Sequence, residues 1–186
     1  TGGQHTCAVV SGALKCWGYI DANPSQAASP GGIAPIPGFR DVPEPMQVIA
    51  RGVTAVSASI HTCAVVKEAL QCWGRNFSGQ VGATGPVNTP TQVLASGVTA
   101  VATSDTNTCA IVRGALYCWG LNQHGQLGAD PTSLGRAEKP LQVIASGVTA
   151  VAVNEYRTCA VVHGVLQCTQ SLGSFVKHPP GSGGFL

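Results

Sequence analysis

Charge is scarce in this chain. Asp, Glu, Lys and Arg make up 10% of its 186 residues, against roughly 25% in an average globular domain, and the formal net charge is +2. A surface so sparsely charged lacks the footprint of a protein that holds DNA, RNA or an anionic membrane. Long apolar runs are missing as well, and no stretch reaches the roughly 18 residues that a spanning helix requires. No segment keeps a helical apolar period for three turns, which argues against an α-helical fold. The opening residues, TGGQHTCAVV, have neither a basic region nor a long apolar one, so any signal peptide is expected to have been removed already or never to have existed. Catalytic signatures are absent too. There is no G-x-S-x-G elbow, no H-E-x-x-H and no phosphate-binding loop. The acids are scattered, and no pair recurs at a spacing suited to general acid–base work. An enzyme, a cofactor or a metal centre is therefore not expected.

What the chain does have is a 44% apolar content, enough to bury a core, and eight cysteines in four pairs. Aligned on the first cysteine of each pair, the segments read HTCAVVSGALKCWG, HTCAVVKEALQCWG, NTCAIVRGALYCWG and RTCAVVHGVLQCTQ. A second motif precedes three of them: QVIARGVTAVSAS, QVLASGVTAVATS and QVIASGVTAVAVN. A third follows two of them, as GRNFSGQVG at 74–82 and GLNQHGQLG at 120–128. Short segments such as GVTAV at 52–56, rich in small and β-branched residues and punctuated by Gly, Pro and Asn, read as strands. Four strands are expected per repeat, near 53–58, 61–66, 69–74 and 91–94 in the second. Units of 45–50 residues with four strands each match the blades of a β-propeller.

Two-residue loops at Ser11-Gly12, Lys67-Glu68, Arg113-Gly114 and His163-Gly164 set the register. They place the two cysteines of each pair opposite one another, in a non-hydrogen-bonded position of an antiparallel hairpin. The spacing thus predicts the disulfides Cys7–Cys16, Cys63–Cys72, Cys109–Cys118 and Cys159–Cys168. Free buried thiols and zinc are the alternatives, but C-x8-C across one hairpin does not supply the close pairs of a zinc tetrahedron. Disulfides imply an oxidising compartment, so export to the extracellular space or cell surface is expected.

The pattern G-x-x-H-T-C-A-V … G-x-L-x-C-W-G-x-N-x-x-G-Q-L-G resembles the regulator-of-chromosome-condensation repeat. It is carried by Gly2 to Gly18, by His61 to Gly82 and by Asn107 to Gly128, and it is similar to the cysteine-bearing variety of exported proteins. The resemblance implies a β-propeller, usually of seven blades. It implies no single activity, because the family includes a nuclear exchange factor for a small GTPase and a secreted β-lactamase inhibitor. The expected architecture is all-β, one array at 1–170 with repeats at 1–50, 51–95, 96–145 and 146–170, followed by a Gly/Pro-containing tail at 171–186. The first and last blades read as incomplete. Repeat one has no preceding GVTAV strand. Repeat four has Thr169-Gln170 where the others have Trp-Gly, and no following QVI strand. The tail reads as a poor closing strand because of Pro179, Pro180 and its glycines.

Trp17, Trp73 and Trp119 are expected to pack blade against blade rather than to form an exposed row. His5 and His61 share a repeat position held by Asn107 and Arg157 elsewhere, which suits a hydrogen bond to a neighbouring turn better than a metal ligand. Asn76-Phe77-Ser78 is a glycosylation sequon in a turn that Asn76 supports with its own amide. A Pro-rich insertion at 21–45 interrupts repeat one. Within it Ile33, Pro35, Ile36, Pro37 and Phe39 form an apolar stretch able to meet a partner as an extended strand or as polyproline II, or to plug a blade edge. Asn122, Gln123 and His124 are candidates for a binding rim.

Open blade edges are normally paired or covered. Taken with the low charge, they point to a non-enzymatic structural or adhesive module that self-associates, as a ring or filament subunit, or completes its blades with another chain. A secreted protein-binding or inhibitory propeller acting through its loops is the second expectation. A fragment of a larger propeller, an exchange factor included, is the third. The expected partner is protein, either copies of the chain or the rest of a propeller.

Overall fold

The computed structural model describes residues 5–20, 40–83 and 87–177. The chain alternates Val, Thr, Ala and Cys over short runs with Gly at their ends, and every such run forms a strand. Blade one holds β1 (His5–Val10), β2 (Ala13–Ile20) and β3 (Arg40–Ile49). Blade two holds β4 (Val53–Ala58), β5 (His61–Val66), β6 (Ala69–Gly74) and β7 (Val87–Leu94). Blade three holds β8 (Val98–Thr103), β9 (Asn107–Val112), β10 (Ala115–Leu121) and β11 (Arg136–Ile144). Blade four holds β12 (Val148–Val153), β13 (Thr158–Val162), β14 (Val165–Thr169) and β15 (Phe175–Lys177). Each sheet is antiparallel and follows chain order, with three strands in blade one and four in each of the others among the described residues. The G-V-T-A-V strands β4, β8 and β12 lie side by side in space, which makes them the innermost strands of successive blades.

Two features of the expected boundaries change. Residues 40–45, placed in the insertion, belong to β3, and its Pro43 and Pro45 are tolerated because β3 is an outer strand. Pro90 of β7 and Pro140 of β11 sit likewise on outer strands, within breaks of the ladder to β6 and β10. The second change concerns the tail. Its residues Phe175–Lys177 pair with Gln167–Thr169, so the fourth sheet runs past residue 170 and closes its outer side with a segment unlike the QVI strands.

The hairpins turn in two residues with both in the left-handed region, at Ser11 (φ 51°) and Gly12 (φ 76°) and at each equivalent pair. This is the primed turn whose twist matches antiparallel strands. It aligns Cys7 with Cys16, Cys63 with Cys72, Cys109 with Cys118 and Cys159 with Cys168. All four pairs are disulfide-bonded, with Cα atoms 4.1 Å apart. The core is not inside a sheet but between sheets. Leu14, Val65, Leu70, Val81 and Trp119 are among its fully buried side chains at the joints of blades one to three, and Ile111, Leu116 and Leu127 carry it on to blade four.

Candidate interaction surfaces

The joints between blades two and three and between blades three and four are held by the same polar contacts. Thr108 Oγ1 donates to the carbonyl of Gln80 at 2.7 Å, and Thr158 Oγ1 does the same to Gln126 at 2.7 Å. Gln80 and Gln126 then reach the next blade, with Nε2 donating to the carbonyls of Asp105 and Glu155, each at 3.0 Å. The repeated Asn braces the loop that carries this Gln. Asn76 Oδ1 accepts from Val81 N–H and Nδ2 donates to the Ala83 carbonyl. Asn122 Oδ1 accepts from Leu127 N–H and Nδ2 donates to the Ala129 and Leu134 carbonyls. The sequon at Asn76 therefore sits on an amide already committed to its turn. Asn122 is fully buried, and of the expected rim trio only Gln123 and His124 face solvent.

His5 and His61 do not bond to turns. His5 Nε2 lies 2.7 Å from Thr62 Oγ1 and His61 Nε2 lies 2.6 Å from Thr108 Oγ1, each on the following blade. In blade three the same position is Asn107, whose amide stays within its own blade and donates to the Leu121 carbonyl. Burial pushes the His61 imidazole down to about 3, with His5 nearby adding to the effect, and burial lowers His5 as well.

Trp73 and Trp119 are buried at the joints, whereas Trp17 is half-buried. Trp119 packs onto Gly82 of the preceding blade, where a Cβ would stand 2.9 Å from the indole Nε1. Blade four has no such Trp. Phe175 of β15 takes its place, and a Cβ at Gly128 would stand 2.5 Å from its ring. The partner-binding stretch Ile33, Pro35, Ile36, Pro37 and Phe39 lies outside the described residues.

Two faces of the array are uncovered among the described residues. Cys63, Val65 and Leu70 of blade two are fully buried by blade three, and Cys109, Ile111 and Leu116 of blade three are buried by blade four. Their counterparts Cys159, Val161 and Leu166 in blade four are only half-buried. On the opposite side, Thr62 and Ala64 are buried by blade one, while Thr6 and Ala8 of blade one are half-buried and Val10 is 47% exposed. Beside that face, no inner strand pairs with β1 among the described residues.

A third surface lies where the loops after the inner strands meet the G-x-N-x-x-G-Q loops. Ser59, Ser104, Asp105, Asn154, Glu155 and Tyr156 line an open cavity of about 320 Å³ there. Ser59 Oγ donates to Asp105. The ring of Tyr156 meets that of His124 edge-on, with centroids 5.1 Å apart, and Phe77 is 79% exposed on a neighbouring loop. Sequence reasoning missed this cavity because its residues differ from blade to blade and belong to no motif. Among the described residues no group of His, Cys, Asp and Glu could hold a metal, and no helix is long and apolar enough to cross a membrane.

Residues 113–161 match the model of the regulator of chromosome condensation (RCC1) repeat. The chain is an array of β-propeller blades, one stretch of which is similar to the RCC1 repeat. A comparison with curated proteins finds no match. Among solved structures, human WBSCR16 superposes with a TM-score of 0.76 at 17% identity, over 97% of this chain and 52% of its own. Prp20p of Saccharomyces cerevisiae, which binds Gsp1p and histones, gives 0.71 at 19% identity, over 90% and 41%. Yeast RCC1 (Prp20) bound to Kap60 gives 0.72 at 19%, over 90% and 40%. The chain thus spans about half the length of these structures or less. Such identities carry the fold and not the function.

Proposed function

We infer that this array is an exported, non-enzymatic structural or adhesive module whose end blades are covered by other propeller blades. The observation that carries it is the pair of uncovered faces. The interior joints support this reading by analogy: blade four presents Val161 and Leu166 as blade two presents Val65 and Leu70 to blade three. Such a contact is head to tail, and repeated it builds rings or filaments. Copies of the chain and further repeats of a larger propeller both carry such blades. The four disulfides support export, since they persist in oxidising compartments. They also argue against a nuclear exchange factor. Light scattering after gel filtration, in non-reducing buffer, tests the assembly. Self-association gives a mass above the 18.9 kDa of one chain. A monomer at every concentration and salt overturns it in favour of the remainder of a larger ring. Cysteines that alkylate in the native protein without prior reduction would overturn export.

The rim cavity favours a second reading, a secreted propeller that grips a soluble protein through its loops. Exposed Tyr156 beside Asp105 and Glu155 is the kind of aromatic and polar mixture found at interfaces. Loss of partner capture on Tyr156→Ala, with unchanged stability, would distinguish it.

A further inference from the structure

The cavity at the loops after the inner strands is built by three successive blades from one position of the repeat. The loops that follow β4, β8 and β12 each fold back through the same bond, Ser59 N–H to the His61 carbonyl, Ser104 N–H to Asn107 and Asn154 N–H to Arg157. Ser59, Ser104 and Asn154 open these loops, and Asp105 and Glu155 are the next residues in blades three and four. Both acids are anchored alike, because their carbonyls accept from Gln80 and Gln126 of the preceding blades. The blade joints thus fix where the two carboxylates stand.

The lining is rich in acceptors and negative charge. Ser59 is buried and donates its hydroxyl proton to Asp105. Ser104 is buried too, with its Oγ engaged by Asn107. The backbone N–H groups of Tyr156 and Arg157 occupy the side-chain oxygen of Asn154. Asp105 and Glu155 make no ion pair among the described residues, and neither does Arg157 on the same loop. Tyr156 lines the cavity and stays 58% exposed, although His124 meets its ring edge-on. An anion would meet two carboxylates here. The group that suits such a lining is a donor-rich cation able to lie against an aromatic ring.

We propose that the cavity takes the guanidinium of an arginine on a partner protein, which donates to Asp105 and Glu155 and lies against Tyr156. A cavity of about 320 Å³ is at the small end of ligand sites, so it suits one side chain rather than a folded segment. Lysine suits it less, because its ammonium is a compact and strongly hydrated point charge. The flat guanidinium carries five donors in a fork, is more weakly hydrated and stacks on aromatic faces. This proposal rests on the reading that the loops grip a soluble protein, but it can fail alone.

The test is an NMR titration of the disulfide-intact chain with blocked tripeptides, acetyl-Gly-X-Gly-amide, in which X is arginine, lysine or citrulline, the uncharged isostere of arginine. For the arginine peptide a dissociation constant of about millimolar is expected, the scale of a single side chain, with shifts at the amides of Asp105, Glu155 and Tyr156. The lysine peptide should bind more weakly, and the citrulline peptide not measurably. Glu155→Gln should weaken arginine binding about fivefold, the scale of a partly exposed charge pair. Tyr156→Ala should weaken it about threefold through the lost ring. Both side chains are exposed, so neither change threatens the fold. A lysine or citrulline peptide that binds as tightly as the arginine peptide, or shifts confined to other parts of the chain, overturns the proposal and leaves the loop-gripping reading standing. Free L-arginine that binds at least about tenfold more tightly than the blocked peptide makes the cavity a small-molecule site, which overturns the protein partner and the loop-gripping reading together.

Discussion

His61 Nε2 stands 2.6 Å from Thr108 Oγ1 across the joint between blades two and three. The hydroxyl spends its one proton on the Gln80 carbonyl, so it must accept from His61, and Nε2 carries the imidazole proton. That leaves Nδ1 bare, buried and without a partner among the described residues.

Burial desolvates a second proton on His61, and no acceptor beside Nδ1 offsets that cost, so the pKa of the imidazole falls from 6.5 to about 3, with His5 adding to the effect. The sign follows from linkage. Below pH 6.5 the unfolded chain binds a proton that the folded chain refuses, so the stabilisation is fully present above that pH and is lost as pH falls toward 3. The loss should approach about 1.4 kcal/mol per pH unit in the middle of that window. His5, lowered in the same direction, adds to it. Urea unfolding at several pH values checks this, and His61→Asn, the residue type of blade three, should flatten the profile. A parallel profile in the variant would remove His61 from the account.

The contact between Gly82 and Trp119 predicts a different asymmetry. A methyl group at Gly82 would meet Val93 Cγ1 at 2.7 Å and the indole at 2.9 Å, on a backbone with φ of 81°. Gly164 has nearly the same φ, 79°, but nothing within 4 Å. Gly164→Ala should cost about 1 kcal/mol, the left-handed backbone alone. Gly82→Ala should cost about 2–4 kcal/mol, because overpacking adds to that strain. Trp119→Ala, which empties the same joint, should cost about 3–5 kcal/mol. Denaturant midpoints at constant slope would rank the three.

Much of this was legible in the sequence, for a stated reason in each case. The cysteine spacing fixed the hairpin register because a two-residue turn leaves no slack, and the three recurrences of G-V-T-A-V marked inner strands. Phe175 was not legible. Its segment lacks the Q-V-I pattern and is rich in Gly and Pro, and only the slot left by the missing Trp beside Gly128 explains why it becomes a strand. Pro43 and Pro45 misled in the same way, since they argue against a strand until β3 is known to be an outer one. The cavity at Asp105 and Glu155 belongs to neither motif nor period.

The Asn of the G-x-N-x-x-G-Q loop should behave as a brace with a graded cost. Asn76→Ala leaves the Val81 N–H and the Ala83 carbonyl without their partner, and Val81 is fully buried. Asn122→Ala frees three backbone groups, those of Leu127, Ala129 and Leu134, at a fully buried site. Losses of about 1–3 kcal/mol are expected for the first and more for the second. Thermal unfolding of both variants checks the order.

The turn Lys67-Glu68 offers the opposite result, a stabilising change. At the other three hairpins the second turn residue is glycine, yet Glu68 is held at φ 64°. A non-glycine residue there costs roughly 1–2 kcal/mol in backbone strain, only partly offset by the greater freedom that glycine gives the unfolded chain. The side chain of Glu68 is exposed and makes no ion pair among the described residues. Its carbonyl, which accepts from Val98 N–H at 2.9 Å across the joint, is kept by any residue. Glu68→Gly should therefore raise stability by about 0.5–1 kcal/mol. Gly114→Glu, the reverse change at the next hairpin, should lower it by a similar amount, and equal midpoints for the two variants would refute the strain argument.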